Sequence, residues 1–158
     1  MIGVLGASLF VVAPPGAAYA VTCSGNGCNG QDPQASGCSG NAITLATKPM
    51  LKPSTGSRVG TIDMRYSRTC RTQWIRIQAN SNNCGSEGCQ HEANITRNNG
   101  PDGPLVYYYN HGLPYAGAEY QWSLMVYTPN TLSCGSGVLD TGNEPGYPDG
   151  NSSTWLCG

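Results

Sequence analysis

Charge is what this sequence has least of: only 11% of its 158 residues are Asp, Glu, Lys or Arg, against about 25% in an ordinary globular domain. The formal net charge is −1, so the chain as a whole lacks the cationic excess on which nucleic-acid binding draws. Histidine occurs only twice, which leaves few groups able to act as general bases near neutral pH. After the first 20 residues no apolar run approaches the length of a membrane-spanning helix, which needs about 20 residues. Helical periodicity is scarce as well. The 22 glycines and 11 prolines, with frequent Asn and Ser, punctuate the chain every few residues and favour short strands joined by turns.

Against this background the eight cysteines stand out: Cys23, Cys28, Cys38, Cys70, Cys84, Cys89, Cys134 and Cys157. Their number is even, and all follow an apolar leader. That pattern reads as four disulfides in a small exported protein. The apolar run Ile2–Val12 is broken by Pro14, Pro15 and Gly16 and is followed by Ala18-Tyr19-Ala20, the small-x-small pattern of a signal-peptidase site. No Lys or Arg precedes the run. Residues 1–20 are therefore read as a signal peptide, possessing an apolar core without its basic head, and residues 21–158 as one secreted, cysteine-rich domain.

The few charges are segregated. All eight Lys and Arg lie between Lys48 and Arg97, where Asp63, Glu87 and Glu92 oppose them, for a net of +5. From Asn98 onward there are five acids, Asp102, Glu119, Asp140, Glu144 and Asp149, and no cation. Two readings follow: the halves attract one another within the fold, or the basic stretch is a face for an anionic partner.

Alternation marks the strands. Ile62, Met64 and Tyr66 alternate with polar residues over 59–67, and Ile75, Ile77 and Ala79 over 73–79. Over 119–128, Tyr120, Trp122, Leu124 and Val126 fall on one face, which assigns Tyr120 and Trp122 to the core. Residues 104–109 have strong β propensity, and 42–47 reads as a weaker strand or a helical turn. Asn99–Pro104 is a turn, and 140–152 is a long irregular loop. The expected fold is mainly β: a small sandwich or barrel stapled by disulfides. Cys134 and Cys157 flank the long loop and are expected to pair. The two Cys-x4-Cys segments suggest local bridges Cys23–Cys28 and Cys84–Cys89, which leaves Cys38 for Cys70; other connectivities stay open.

Two stretches resemble a known family. They are Cys23–Cys38, with Cys28, Asp32 and Pro33 inside it, and Met64-Arg65-Tyr66-Ser67-Arg68-Thr69-Cys70-Arg71 with Trp74 and Arg76 following. Together, and in this order, they are similar to domain-of-unknown-function family 2690, the YjfA-like secreted proteins of Gram-positive bacteria. The family-like region runs roughly from Cys23 to Gln78, with looser similarity beyond. The resemblance implies an exported, cysteine-containing domain. It supplies no catalytic residues.

The candidate binding residues come from the sequence itself. Arg65, Arg68 and Arg71 form the densest basic cluster, and the arginine fork suits phosphate or carboxylate groups of a wall polymer. The opposing reading is structural: Arg65 satisfies a backbone carbonyl or an acid, and Trp74 packs over a disulfide. Tyr107, Tyr108 and Tyr109 are three consecutive aromatics, so period 2 sends one or two outward to a sugar or protein partner. His111, with Glu119 or Asp102, is a candidate general base, but no Gly-x-Ser-x-Gly elbow accompanies it. Cys84, Cys89, His91 and Glu92 suggest zinc, with looser spacing than usual ligand pairs; disulfides are the preferred reading. Asp140, Asn143, Glu144, Asp149 and Asn151 offer oxygen ligands to calcium without EF-hand spacing. The expectation is thus a secreted, non-catalytic module, free of metal and cofactor, that binds an envelope polymer or an extracellular protein, with neither nucleic acid nor a membrane span. A small hydrolase using His111 and a secreted inhibitor are the alternatives.

Overall fold

The computed structural model describes residues 20–80, 89–97, 105–115, 120–140 and 150–158, and the side chains of all of these except 89–91, 105–115, 140 and 150–154. Among these residues nine strands follow a single 3-10 turn at Gly25–Cys28. They are β1 (Ile43–Leu51), β2 (Arg58–Ser67), β3 (Thr72–Ala79), β4 (Cys89–Arg97), β5 (Leu105–Tyr115), β6 (Tyr120–Trp122), β7 (Val126–Tyr127), β8 (Ser133–Asp140) and β9 (Gly150–Cys157). No α-helix occurs among the described residues. The protein is mainly β, as its sequence predicts.

Two antiparallel sheets form. The first runs β1-β2-β3-β6, with β7 also paired to β3, and the second runs β5-β4-β8-β9. They stack with β3 over β4 and β8, and β2 over β8 and β9, while β1 lies against β9 at one side. Ile62, Met64, Ile75 and Ile77 of the first sheet meet Ala93, Ile95, Leu139 and Leu156 of the second. Burial of such side chains is the main stabilising term, about 1.5–3 kcal/mol each.

Close approach of the sheets depends on two glycines in β8. A Cβ on Gly135 would lie 2.3 Å from Ile75 Cγ1 and 2.4 Å from the Asn94 carbonyl oxygen. A Cβ on Gly137 would lie 2.4 Å from Ile77 Cδ1.

The first sheet is covered on both faces. Its inner face meets the second sheet. Against its outer face lies the cysteine-rich segment 22–42, where Cys28, Cys38, Cys70, Trp74 and Met125 are buried together with Cys23, Ala42 and Trp122 at the margin. Covering explains why β3 is buried at consecutive positions Thr72 to Ile75 instead of alternating with solvent.

Three expectations need correction. The segment 119–128 is not one strand: β6 stops at Trp122 and β7 starts at Val126. Between them Ser123 bonds Ile75 through both its amide and its hydroxyl, at 2.8 and 3.0 Å, and Met125 exchanges backbone bonds with Gly30 and Gln31 at 2.9 and 3.0 Å. The chain leaves the ladder there to hold the N-terminal loop. The facing is also reversed. Gln121 pairs with Ile77 and is buried, while Tyr120 is exposed, because Ile77 fixes which side of the register faces the core. Trp122 lies on the outer face, beneath the cysteine-rich segment. Last, residues 150–152 belong to β9, not to an irregular loop; the ladder to β8 extends as far as Leu139↔Gly150.

Candidate functional site

The structure brings Cys23 to Cys28, Cys38 to Cys70 and Cys134 to Cys157 within bonding distance. Cys134 and Cys157 are direct cross-strand partners of β8 and β9. Cys84, and with it the Cys84–Cys89 pairing, lies outside the described residues. So do the side chains of His91 and His111, although their backbones are cross-strand partners in β4 and β5. Residues 1–19, the calcium candidates Asn143, Glu144 and Asp149, and the side chains of Tyr107, Tyr108, Tyr109, Asp140 and Asn151 lie outside them too, as do the side chains of all five acids after Asn98.

Of the three sequence-predicted arginines, Arg65 is held within the fold. Its guanidinium donates to Thr44 Oγ1 at 2.5 Å and to the Ala42 carbonyl at 2.7 Å. Burial pushes its pKa below the usual arginine value, and nearby Arg76 adds to this while Asp63 opposes it. Arg65 therefore clasps the start of β1 to β2. Arg76 is paired as well: it grips Asp63 Oδ2 through Nε at 3.1 Å and Nη2 at 2.5 Å and lies 4.9 Å from the centre of the Tyr120 ring. Asp63 also accepts from Thr47 Oγ1 at 2.6 Å. These contacts make a polar row across the outer face of the first sheet, internal to the basic half of the sequence.

Arg68 and Arg71 are exposed, on the turn joining β2 to β3. Arg71 adopts φ +59°, the left-handed region, which lets its amide close the turn onto the Ser67 carbonyl at 2.7 Å. Its guanidinium sits 5.6 Å from the centre of the Tyr127 ring. Its carbonyl accepts from the Thr128 amide at 2.9 Å. The basic turn is thus tied directly to segment 128–132.

That segment forms the wall of a surface groove. One hollow, of about 320 Å³, is lined by residues that include Leu45, Tyr66, Gln73, Thr128, Thr131 and Leu132. A second, of about 300 Å³, is lined by Thr96, Leu132, Cys134 and Trp155. Leu132 stands between them and lines both. It is 72% exposed and Trp155 is 52% exposed; Leu45 is exposed beside them. The floor is rigid: Gln73 donates to the Gly158 carbonyl at 2.8 Å and accepts from the Ser133 hydroxyl. Lys48 Nζ reaches the Trp155 carbonyl at 3.0 Å, so β1 is fastened to β9 along one rim.

Two groups in this wall stand without partners. The hydroxyls of Thr128 and Thr131 are buried and have no hydrogen-bond partner among the described residues. Leaving a buried polar group unpaired costs about 1–3 kcal/mol.

Sequence reasoning did not find this groove. Its one local signal is Leu132 itself, an apolar residue inside Thr128-Pro129-Asn130-Thr131-Leu132, where a turn has no core to bury it. Trp155 is signalled only by its adjacency to Leu156, since neighbours on a strand face opposite sides and Leu156 is buried.

No curated protein and no solved structure matches the chain. A family model does match, over residues 26–132, and its description is a protein of unknown function, DUF2690. The match covers more than the 23–78 stretch that the sequence motifs marked, and takes in β1 to β7 and the groove segment 128–132. The chain belongs to this family.

Proposed function

We propose that the chain is an exported, bacterial, non-catalytic binding module, and that its ligand surface is the groove around Leu132 and Trp155. Export is supported by the leader-like residues 1–20 and by three disulfides among the described cysteines. The binding reading rests on one observation above all: Leu132 protrudes between two hollows, flanked by exposed Trp155 and Leu45. Apolar side chains gathered in this way mark contact surfaces more often than scattered ones do. The ligand class that fits is an envelope polymer carrying hydroxyl and anionic groups. Trp155 offers a face for a sugar ring. Arg71, whose guanidinium lies 5.6 Å from the centre of the Tyr127 ring next to this segment, supplies a cation nearby.

The test is cosedimentation of the protein with purified Gram-positive cell-wall sacculi. Retention of the natural protein, and loss of most of it in Leu132→Ser/Trp155→Ala, is the expected result. Equal retention of that variant removes the groove as the surface, and no retention of the natural protein removes the envelope as the ligand.

A further inference from the structure

Four sulfurs meet at one point on the outer face of the first sheet. The Sγ atoms of Cys23, Cys28, Cys38 and Cys70 all lie within 4.8 Å of one another. Cys23 and Cys38 belong to different bridges, yet their sulfurs are 3.7 Å apart. Four thiolates around a zinc-class ion at about 2.3 Å stand at the corners of a tetrahedron with edges of about 3.8 Å. The Cys23–Cys38 separation is already that of such an edge, and the other sulfurs of the two bridges lie within 4.8 Å.

The surroundings suit a closed structural site. Cys28, Cys38 and Cys70 are buried, and Cys23 is half-buried. Trp74, Met125, Ala42 and Trp122 pack around them, which shuts out water and leaves no place for an open coordination position. The backbone is held independently of the sulfurs. The Gly25 amide donates to the Cys70 carbonyl at 3.3 Å, and the Cys70 amide donates to Ser67 Oγ at 3.2 Å.

We propose that the reduced chain binds one zinc-class divalent ion through the thiolates of Cys23, Cys28, Cys38 and Cys70. The same pocket is held by two disulfides when oxidised and by one metal tetrathiolate when reduced. The reduction balances with a phosphine as the reductant. Each bridge takes up two electrons and two protons, and each phosphine leaves as its oxide with oxygen from water. Metal binding then displaces the thiol protons, so occupancy falls as the pH falls.

The experiment uses the whole chain, reduced with a water-soluble phosphine under anaerobic conditions. Co²⁺ is titrated in as the spectroscopic probe. In parallel, Zn²⁺ is added before alkylation with iodoacetamide, and the modified cysteines are mapped by peptide mass. Expected are the visible absorption bands of tetrahedral thiolate-bound cobalt, saturating at one ion per chain. Expected too is alkylation at least about ten-fold slower at the four clustered cysteines, with Cys134 and Cys157 still reacting. If the reduced chain loses its circular dichroism without metal, Zn²⁺ must restore it along with the same four protections. Absence of cobalt bands, protection of other cysteines, or failure of Zn²⁺ to restore structure overturns the proposal.

Discussion

The indole Nε1 of Trp122 donates to Asp32 Oδ2 at 2.9 Å across 90 residues of chain. The other carboxylate oxygen of Asp32 accepts from the amides of Gln34 and Ala35 at 2.7 and 2.9 Å. One side chain therefore shapes the cysteine-rich segment and fastens it to β6. Asp32→Ala removes all three bonds and should lower stability by about 1–3 kcal/mol. Asp32→Asn keeps an oxygen for the amides and should cost less. Urea unfolding followed by circular dichroism ranks the two, and equal stability of Asp32→Ala and the natural protein would show that the fastening is unimportant.

The three described bridges should differ in worth. In the loop-closure picture Cys38–Cys70, with a separation of 32 residues, contributes about 4 kcal/mol, and Cys23–Cys28, with a separation of 5, about 2 kcal/mol. Paired Cys→Ala variants, compared in urea, should lose stability in that order. The opposite order would mean that packing of the sulfurs against Trp74, not chain entropy, dominates.

Gly135→Ala places a methyl group against the Asn94 carbonyl and Ile75 at once. A carbonyl in a ladder cannot move aside, so the cost should reach about 3 kcal/mol or more, the upper end for an overpacked core. Gly137→Ala meets mainly the far end of Ile77, which can rotate, and should cost less. Thermal unfolding of the two variants checks the difference.

Asp63 and Arg76 form an ion pair in which two guanidinium nitrogens donate to one carboxylate oxygen. Asp63 is buried and Arg76 is mostly so. A double-mutant cycle with Asp63→Asn and Arg76→Gln should give a coupling of about 1 kcal/mol. A value near zero would assign the stability of this row to the Thr47 hydrogen bond instead.

Trp155→Ala is expected to change the stability by no more than about 0.5 kcal/mol, as surface substitutions usually do. Its expected effect is on retention by cell walls. A large loss of stability would instead make Trp155 a packing residue and weaken its assignment to a ligand surface.

Much of this fold was legible in the chain. Ile62, Met64, Ile75 and Ile77 announce their faces by simple alternation, and spacing suggested Cys38 for Cys70 once the short loops were closed. What escaped was whatever depends on a second layer. Trp122 reads as a core residue by alternation, but its cover is a loop outside the sandwich, whereas Trp74 packs against the bridges as the structural reading of its stretch expects. Tyr120 follows the same alternation and faces solvent, since register against Ile77 is set by β3 and not by its own neighbours. Arg65 was ambiguous for the reason that makes arginine useful anywhere: its fork fits a backbone carbonyl as well as a ligand. The groove joins β1, β2, β3, β4, β8, β9 and the turn after β7, and no local pattern reports on a surface assembled from that many places.

The three tryptophans occupy unlike surroundings, and this gives the protein built-in optical reporters. Trp74 is packed among Cys28, Cys38 and Cys70, and a disulfide in contact with an indole quenches its emission. Trp122 is half-covered and hydrogen-bonded, whereas Trp155 is open to water. Native fluorescence should therefore be red-shifted and dominated by Trp155, responsive to anything that occupies the groove. Reduction of the sulfurs should add a bluer component from Trp74. One spectrum thus separates events at the cysteine-rich segment from events at the groove without a label.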